Sequence, residues 1–334
     1  MFKWLRRLSN LISLLVGLAV TAAIVFGLIW GIGAWYGYRQ GDQPTAWGVV
    51  WSTDQARRME LDPVEDLDEL LGQIPFKRVQ LSSEWTAVEP SAGLYDFETL
   101  ERQIAAARSR NVAVELQIGL HQARPGRCYA PPWTAELEAA EFKLRLKEYV
   151  RRVVEKVDDA VNLVGYHLEP EIFAAKAAAC ARQLDREDLA ELYRHLDELT
   201  DKEIAVSRPN NWAAFRRLRP APDAFGLKLD LYPDNRGFFE GLFKPTPLAS
   251  YYSFSAGNLK LLHSESRIFI RSLNAEPAGG GDLTTDTLES RLAYAKRTGI
   301  RTIYLSGAEW WLKEKKGGNG AIFETVEAAV SADF

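Results

Sequence analysis

The chain has 334 residues, 41 of them basic and 45 acidic, for a net charge of −4. The two signs are interspersed, which excludes a nucleic-acid-binding surface of the usual basic kind. Four histidines without ligand spacing and two cysteines outside any CxxC pattern leave no metal site to expect, and no glycine loop suggests a nucleotide or other cofactor. The first element is an apolar run. From Leu11 to Trp35 there is no charged residue over 25 positions, enough at about 1.5 Å per residue to cross a hydrocarbon core of about 30 Å. Lys3, Arg6 and Arg7 precede it, whereas Arg39 after it is offset by Asp42. The charge bias therefore places residues 1–10 in the cytoplasm, a single transmembrane helix over 11–36, and the rest outside, on the cell membrane. The run is too long for an ordinary signal-peptide core and no clean A-x-A site follows it. Residues 37–45 read as a short tether.

Beyond residue 46, strand-like and helix-like stretches alternate. AWGVVWS (46–52), KRVQLSS (77–83), VAVELQIG (112–119), VNLVGYHLE (161–169), EIAVSRP (203–209), AFGLKLDLY (224–232), RIFIRSLNAE (267–276) and RTIYLSGAEW (301–310) read as strands. Amphipathic stretches such as DFETLERQIAAARSR, with Asp96 as its cap, and TAELEAAEFKLRLKEYVRRVVEKV lie between them. Eight such repeats predict an α/β fold, a (β/α)8 TIM barrel over 46–334. An open doubly wound sheet is the alternative, without a glycine-rich first turn to support it.

In such a barrel the working residues stand at the C-terminal ends of the strands. Those ends carry Glu84, Trp85 and Glu89; Arg124, Tyr129 and Trp133; His167, Glu169 and Glu171; Asp230 and Tyr232; Asn274 and Glu276; and Glu309, Trp310 and Trp311. Carboxylates with aromatics suit carbohydrate. Glycosidic cleavage needs one carboxylic acid for the leaving oxygen and a second carboxylate as nucleophile or base, and aromatic faces pack on pyranose rings.

The stretch KRVQLSSEWTAVEPSAGLYDFETLERQIAAARSRNVAVELQIG resembles clan A glycoside hydrolases, nearest to the family 42 beta-galactosidase barrel and related bacterial proteins, through Trp85, Glu89, Pro90, Gly93, Tyr95, Asp96 and Phe97. The similarity runs from residue 47 to about 312 and includes the loop RPGRCYAPPW, with Arg124 and Trp133. At strand four the family reads N-E-P with Glu as acid/base. The resemblance puts that role on Glu171 in HLEPEI, with Pro170 in place of the Asn. At strand seven the family's nucleophile position falls on Ser272, and Glu276 matches only a second Glu. GAEWW at strand eight brings Glu309 and Trp310. The resemblance thus implies Glu171, Glu276 and Glu309 as catalytic candidates. It implies Trp85, Glu89, Arg124, Trp133, His167, Tyr232, Asn274 and Trp310 as carbohydrate-binding ones. Three functions follow as alternatives. One is O-glycosyl hydrolysis through Glu171 with Glu276 or Glu309. The second is a catalytically impaired barrel that binds glycan of the cell envelope or serves as a surface scaffold. The third is other chemistry. Cys128 and Cys180 fall in neighbouring loops on one barrel face, which brings a disulfide within reach; two free thiols are the alternative.

Overall fold

A computed structural model describes residues 2–41, 43–122, 127–170, 180, 182, 184–208, 221–229, 249–277 and 283–333. Eight strands run β1 Ala46–Trp51, β2 Arg78–Ser82, β3 Ala113–Ile118, β4 Leu163–Leu168, β5 Glu203–Arg208, β6 Ala224–Leu229, β7 Arg267–Asn274 and β8 Thr302–Ser306. Each pairs in parallel with the next, and β8 pairs with β1, so the sheet closes in chain order. The expected (β/α)8 barrel is the observed fold, and all eight strands fall within the stretches read from the sequence.

The described helices are α1 Phe2–Gln40, α2 Thr53–Arg58, α3 Glu65–Gln73, α4 Trp85–Val88, α5 Glu98–Ser109, α6 Ala139–Val157, α7 Arg186–Asp197, α8 Ala249–Leu262, α9 Thr285–Arg297, α10 Ala308–Lys316 and α11 Ala321–Ser331. Their starts follow local chemistry. Ser52 caps α2 by accepting from the Gln55 amide, Asp185 and Asp188 form a capping box on α7, and Asp96 accepts from the Glu98 amide at α5. The helix α1 is long and apolar enough to cross a membrane. It continues to Gln40, so the tether expected over 37–45 is helical for its first four residues, and Thr45 is already buried.

Strand alternation sorts the side chains. Trp47, Val49 and Trp51 join the large core between strands and helices, while Val50, Ala205, Ala224, Phe269 and Tyr304 form a second cluster inside the barrel. The rest of the interior is polar. Gln117 donates to Gln80 (2.9 Å), Gln80 donates to Glu115, and Arg267 donates to Glu115 (2.7 Å) and Glu203. His167 Nε2 lies 2.9 Å from Ser207 Oγ. Burial first, then the nearby Arg271 and Arg267 charges, hold His167 well below the ordinary imidazole range, so it is neutral.

Gly48 makes room for this filling. A Cβ there would stand 2.5 Å from the Tyr304 ring. Gly48→Ala is therefore expected to lower stability by about 1–3 kcal/mol, the range for overpacked cores. Denaturant unfolding of the purified chain checks it; an unchanged midpoint would mean the ring moves freely aside.

Candidate active site

The mouth of the barrel is built from strand-end carboxylates tied to backbone. At the end of β1, the Ser52 amide donates to Glu309 Oε1 (2.7 Å) and the Ser52 hydroxyl donates to Glu84 Oε1 (2.8 Å). The Asp54 amide also donates to Glu84 (3.0 Å). The Glu84 amide donates to Gln122 Oε1 (3.0 Å), whose own amide group donates to the Gly119 carbonyl (2.8 Å). At the end of β4, Glu169 accepts from the Leu120 amide (2.6 Å) and the His121 amide (2.9 Å), and lies 2.9 Å from His121 Nδ1. Hydrogen bonds between strand ends and the loops after them thus run from β8 through β1, β2 and β3 to β4.

Two of these glutamates hold unusual backbone. Glu84 has φ +39° and Glu169 φ +46°, a region that costs side-chain-bearing residues of order 1–3 kcal/mol. Gly119, at φ +118°, lets the Glu169 carboxylate lie against the β3 end: a Cβ there would fall 2.3 Å from Glu169 Oε1. Burial pushes the Glu84 carboxyl up from an ordinary 4.5 to about 7, against the lowering effect of the Asp54 and Ser52 hydrogen bonds.

Four residues expected to meet substrate are instead enclosed. Trp85 is fully buried; it stacks on Tyr149 at 5.2 Å and donates to Glu89 Oε2 (2.7 Å). Glu89 is buried and also accepts from the Gly93 amide (2.7 Å). His167 belongs to the barrel interior, and Glu309 is buried where it accepts from Ser52.

Trp133, Asn274, Glu276 and Trp310 are half-buried. Trp133 donates to the Glu89 carbonyl (3.2 Å). After β7, Asn274 Oδ1 accepts from the Glu276 amide (3.1 Å), and Trp311 donates to the Ala275 carbonyl (2.6 Å), which joins the β7 and β8 loops. Ser272 donates to Ser306 Oγ (3.1 Å). Glu171, Arg124 and Tyr232 lie outside the described residues. Because β4 ends at Leu168, the first residue on the rim is Glu169, two positions before the expected Glu171. Glu84 and Glu169 were visible as strand-end carboxylates; their burial and backbone strain were not. Cys128 and Cys180 form a disulfide, Cα atoms 5.0 Å apart, that links the segments after β3 and β4. Among the described residues, no cluster of three or more His, Cys, Asp or Glu is placed to hold a metal.

No protein-family model and no curated protein matches the chain. Solved structures do. An exo-β-1,4-mannosidase from Opitutaceae bacterium strain TAV5 aligns over 87% of this chain at 16% identity and TM-score 0.56. Endo-glycoceramidase II from Rhodococcus sp. aligns over 80% at 16% identity and TM-score 0.52. A β-galactosidase from Bacillus circulans sp. alkalophilus aligns over 87% at 10% identity and TM-score 0.60. The chain spans 60%, 74% and 56% of those three chains. At such identities the likeness is one of fold: the chain carries the (β/α)8 barrel found in clan A glycoside hydrolases.

The Glu84 shift has a pH signature. Between the ordinary 4.5 and about 7 the folded state keeps a proton that the unfolded chain has released. Its contribution is fully present below pH 4.5 and lost as pH rises to about 7. His167 acts oppositely, its contribution fading as pH falls below the ordinary imidazole value, but it is common to both proteins in a comparison. The stability of the parent relative to Glu84→Gln is expected to fall by about 3 kcal/mol across that window, at 1.36 kcal/mol per pH unit. Denaturant titrations at pH 4.5 and 7.5 measure it; a pH-independent difference would contradict the burial of a titrating carboxyl.

Proposed function

We propose that the chain is a membrane-anchored, glycoside-hydrolase-like barrel whose mouth binds carbohydrate outside the cytoplasm. The observation that carries binding over cleavage is the engagement of the buried rim carboxylates. Glu84, Glu169 and Glu309 each accept from backbone amides of neighbouring strand-end loops, whereas cleavage needs two carboxyl groups facing each other across an open site, about 5–10 Å apart. Ser272, at the position where the resemblance asks for a nucleophilic carboxylate, donates to another serine; a hydroxyl is a weak nucleophile without a base. Trp133 and Trp310, both half-buried at the mouth, offer ring faces to a sugar. Carbohydrate as ligand is supported by the shared fold with a mannosidase, a glycoceramidase and a galactosidase. The anchor is supported by the apolar length of α1.

Hydrolysis is the second reading, and Glu276 favours it. This carboxylate stands half-buried just after β7, three strands around the closed barrel from β4. The acid would be Glu171, or Glu169 if the family's E-P pair is laid on Glu169–Pro170 as the end of β4 favours.

A panel of aryl-glycosides and oligosaccharides, assayed with the full chain in detergent for both binding and turnover, separates the two. Binding without turnover is expected. Turnover that falls by about 10²-fold or more in Glu171→Gln, Glu169→Gln or Glu276→Gln would replace binding by hydrolysis. Neither binding nor turnover with any sugar would sink both.

A further inference from the structure

One barrel helix lacks a polar face. In α8, residues 252–257 are buried without interruption: Tyr252, Ser253, Phe254, Ser255, Ala256 and Gly257. Successive residues step 100° around a helix, so six in a row circle it completely. A barrel helix with one side in solvent cannot do this; a helix apolar all round is covered all round.

The outer cover is the end of α1. At Gly257 a Cβ would fall 2.8 Å from both the backbone oxygen and Cγ2 of Ile32, and 3.2 Å from Cβ of Tyr36. At Gly299, in the turn before β8, a Cβ would stand 3.4 Å from Cα of Gly37. These are backbone-to-backbone approaches that glycine permits. Gly33 and Tyr36 are buried, and Trp35 packs against the main core. Arg301 donates to the Gly41 carbonyl, and the Ala46 amide donates to the Arg301 carbonyl (2.7 Å). Arg301 immediately precedes β8, so α1 ends on the face where the strands begin, opposite the carboxylate mouth.

Ahead of this docked end, α1 exposes large apolar side chains. Ile12, Leu18, Ile24, Phe26 and Trp30 are 53–70% exposed. The stretch from Ile12 to Gly31, about twenty residues, measures about 30 Å, one hydrocarbon thickness.

We infer that Ile32–Gln40 is a structural element of the barrel, that α1 is retained rather than cleaved as a signal sequence, and that it seats the barrel on the lipid bilayer without a flexible tether. Ile12–Gly31 is the part given to lipid. Only the lipid seat rests on the anchored reading above; the docking of α1 on α8 stands apart from it.

The full chain with its own N-terminus, expressed and fractionated, provides the test. Expected is an intact N-terminus, by mass, in protein that sediments with membranes. A chain beginning near residue 42 overturns retention, whatever becomes of the sugar assays. An intact chain that stays soluble overturns the lipid seat together with the anchored reading. Docking is tested separately in detergent. Gly257→Leu, which drives a side chain into Ile32, and the milder Tyr36→Ala are expected to lower Tm by about 5–10 °C. Trp30→Ala, on the lipid-exposed stretch, is expected to leave it unchanged. Equal Tm values for all four proteins overturn the docking.

Discussion

A carboxylate taken out of water must find donors, or the fold bears several kcal/mol for each one. The mouth of this barrel is arranged around that requirement. Glu84, Glu169 and Glu309 are all nearly inaccessible, and each is met by amide hydrogens from the loop after a neighbouring strand. The strained φ of Glu84 and Glu169 turns each side chain back over the strand ends, and the bonds so formed offset the strain. Gly119 is the concession that Glu169 extracts from β3. The arc from β8 to β4 is thereby a continuous hydrogen-bonded wall, and the disulfide Cys128–Cys180 ties the segments after β3 and β4.

Below the wall the same rule governs the interior. Glu115, buried among strands, is reached by Gln80, Tyr304 and Arg267, and Arg267 carries its second carboxylate, Glu203, at the strand starts. His167 stays neutral there and meets Ser207. On the β7–β8 side, Asn274, Glu276 and Trp310 keep part of their surface in solvent.

The N-terminal helix and the mouth lie at opposite ends of the strands. A barrel mounted through Ile32–Gln40 on its strand-start face follows the orientation of α1, because α1 packs closely on α8 at Gly257 and on the turn before β8 at Gly299. A disulfide persists in an oxidising compartment, which is where the proposed anchored reading puts the barrel.

The order of elements was legible in the chain alone, because strand and helix periodicities are local. Eight apolar strands separated by amphipathic stretches dictate a parallel sheet covered by helices, and every strand was found within its expected span. The neighbouring loops of such a barrel put Cys128 and Cys180 within disulfide reach but left two free thiols open, and the tertiary structure decided for the disulfide. What local pattern cannot carry is the partner of a side chain. Trp85, Glu89, His167 and Glu309 have the composition of a sugar cleft and lie at or shortly after strand ends, and their burial is a property that only the tertiary structure shows. The end of β4 depends on its register with β3, Ile118 against Leu168, and that register brings Glu169 to the rim ahead of Glu171. The helix α8 went unread because amphipathicity signals a helix only when one face meets water, and α1 covers the face that would. Local periodicity thus determined the barrel and its order, whereas burial, a property of contacts distant in sequence, decided which carboxylates are enclosed and against what the N-terminal helix packs.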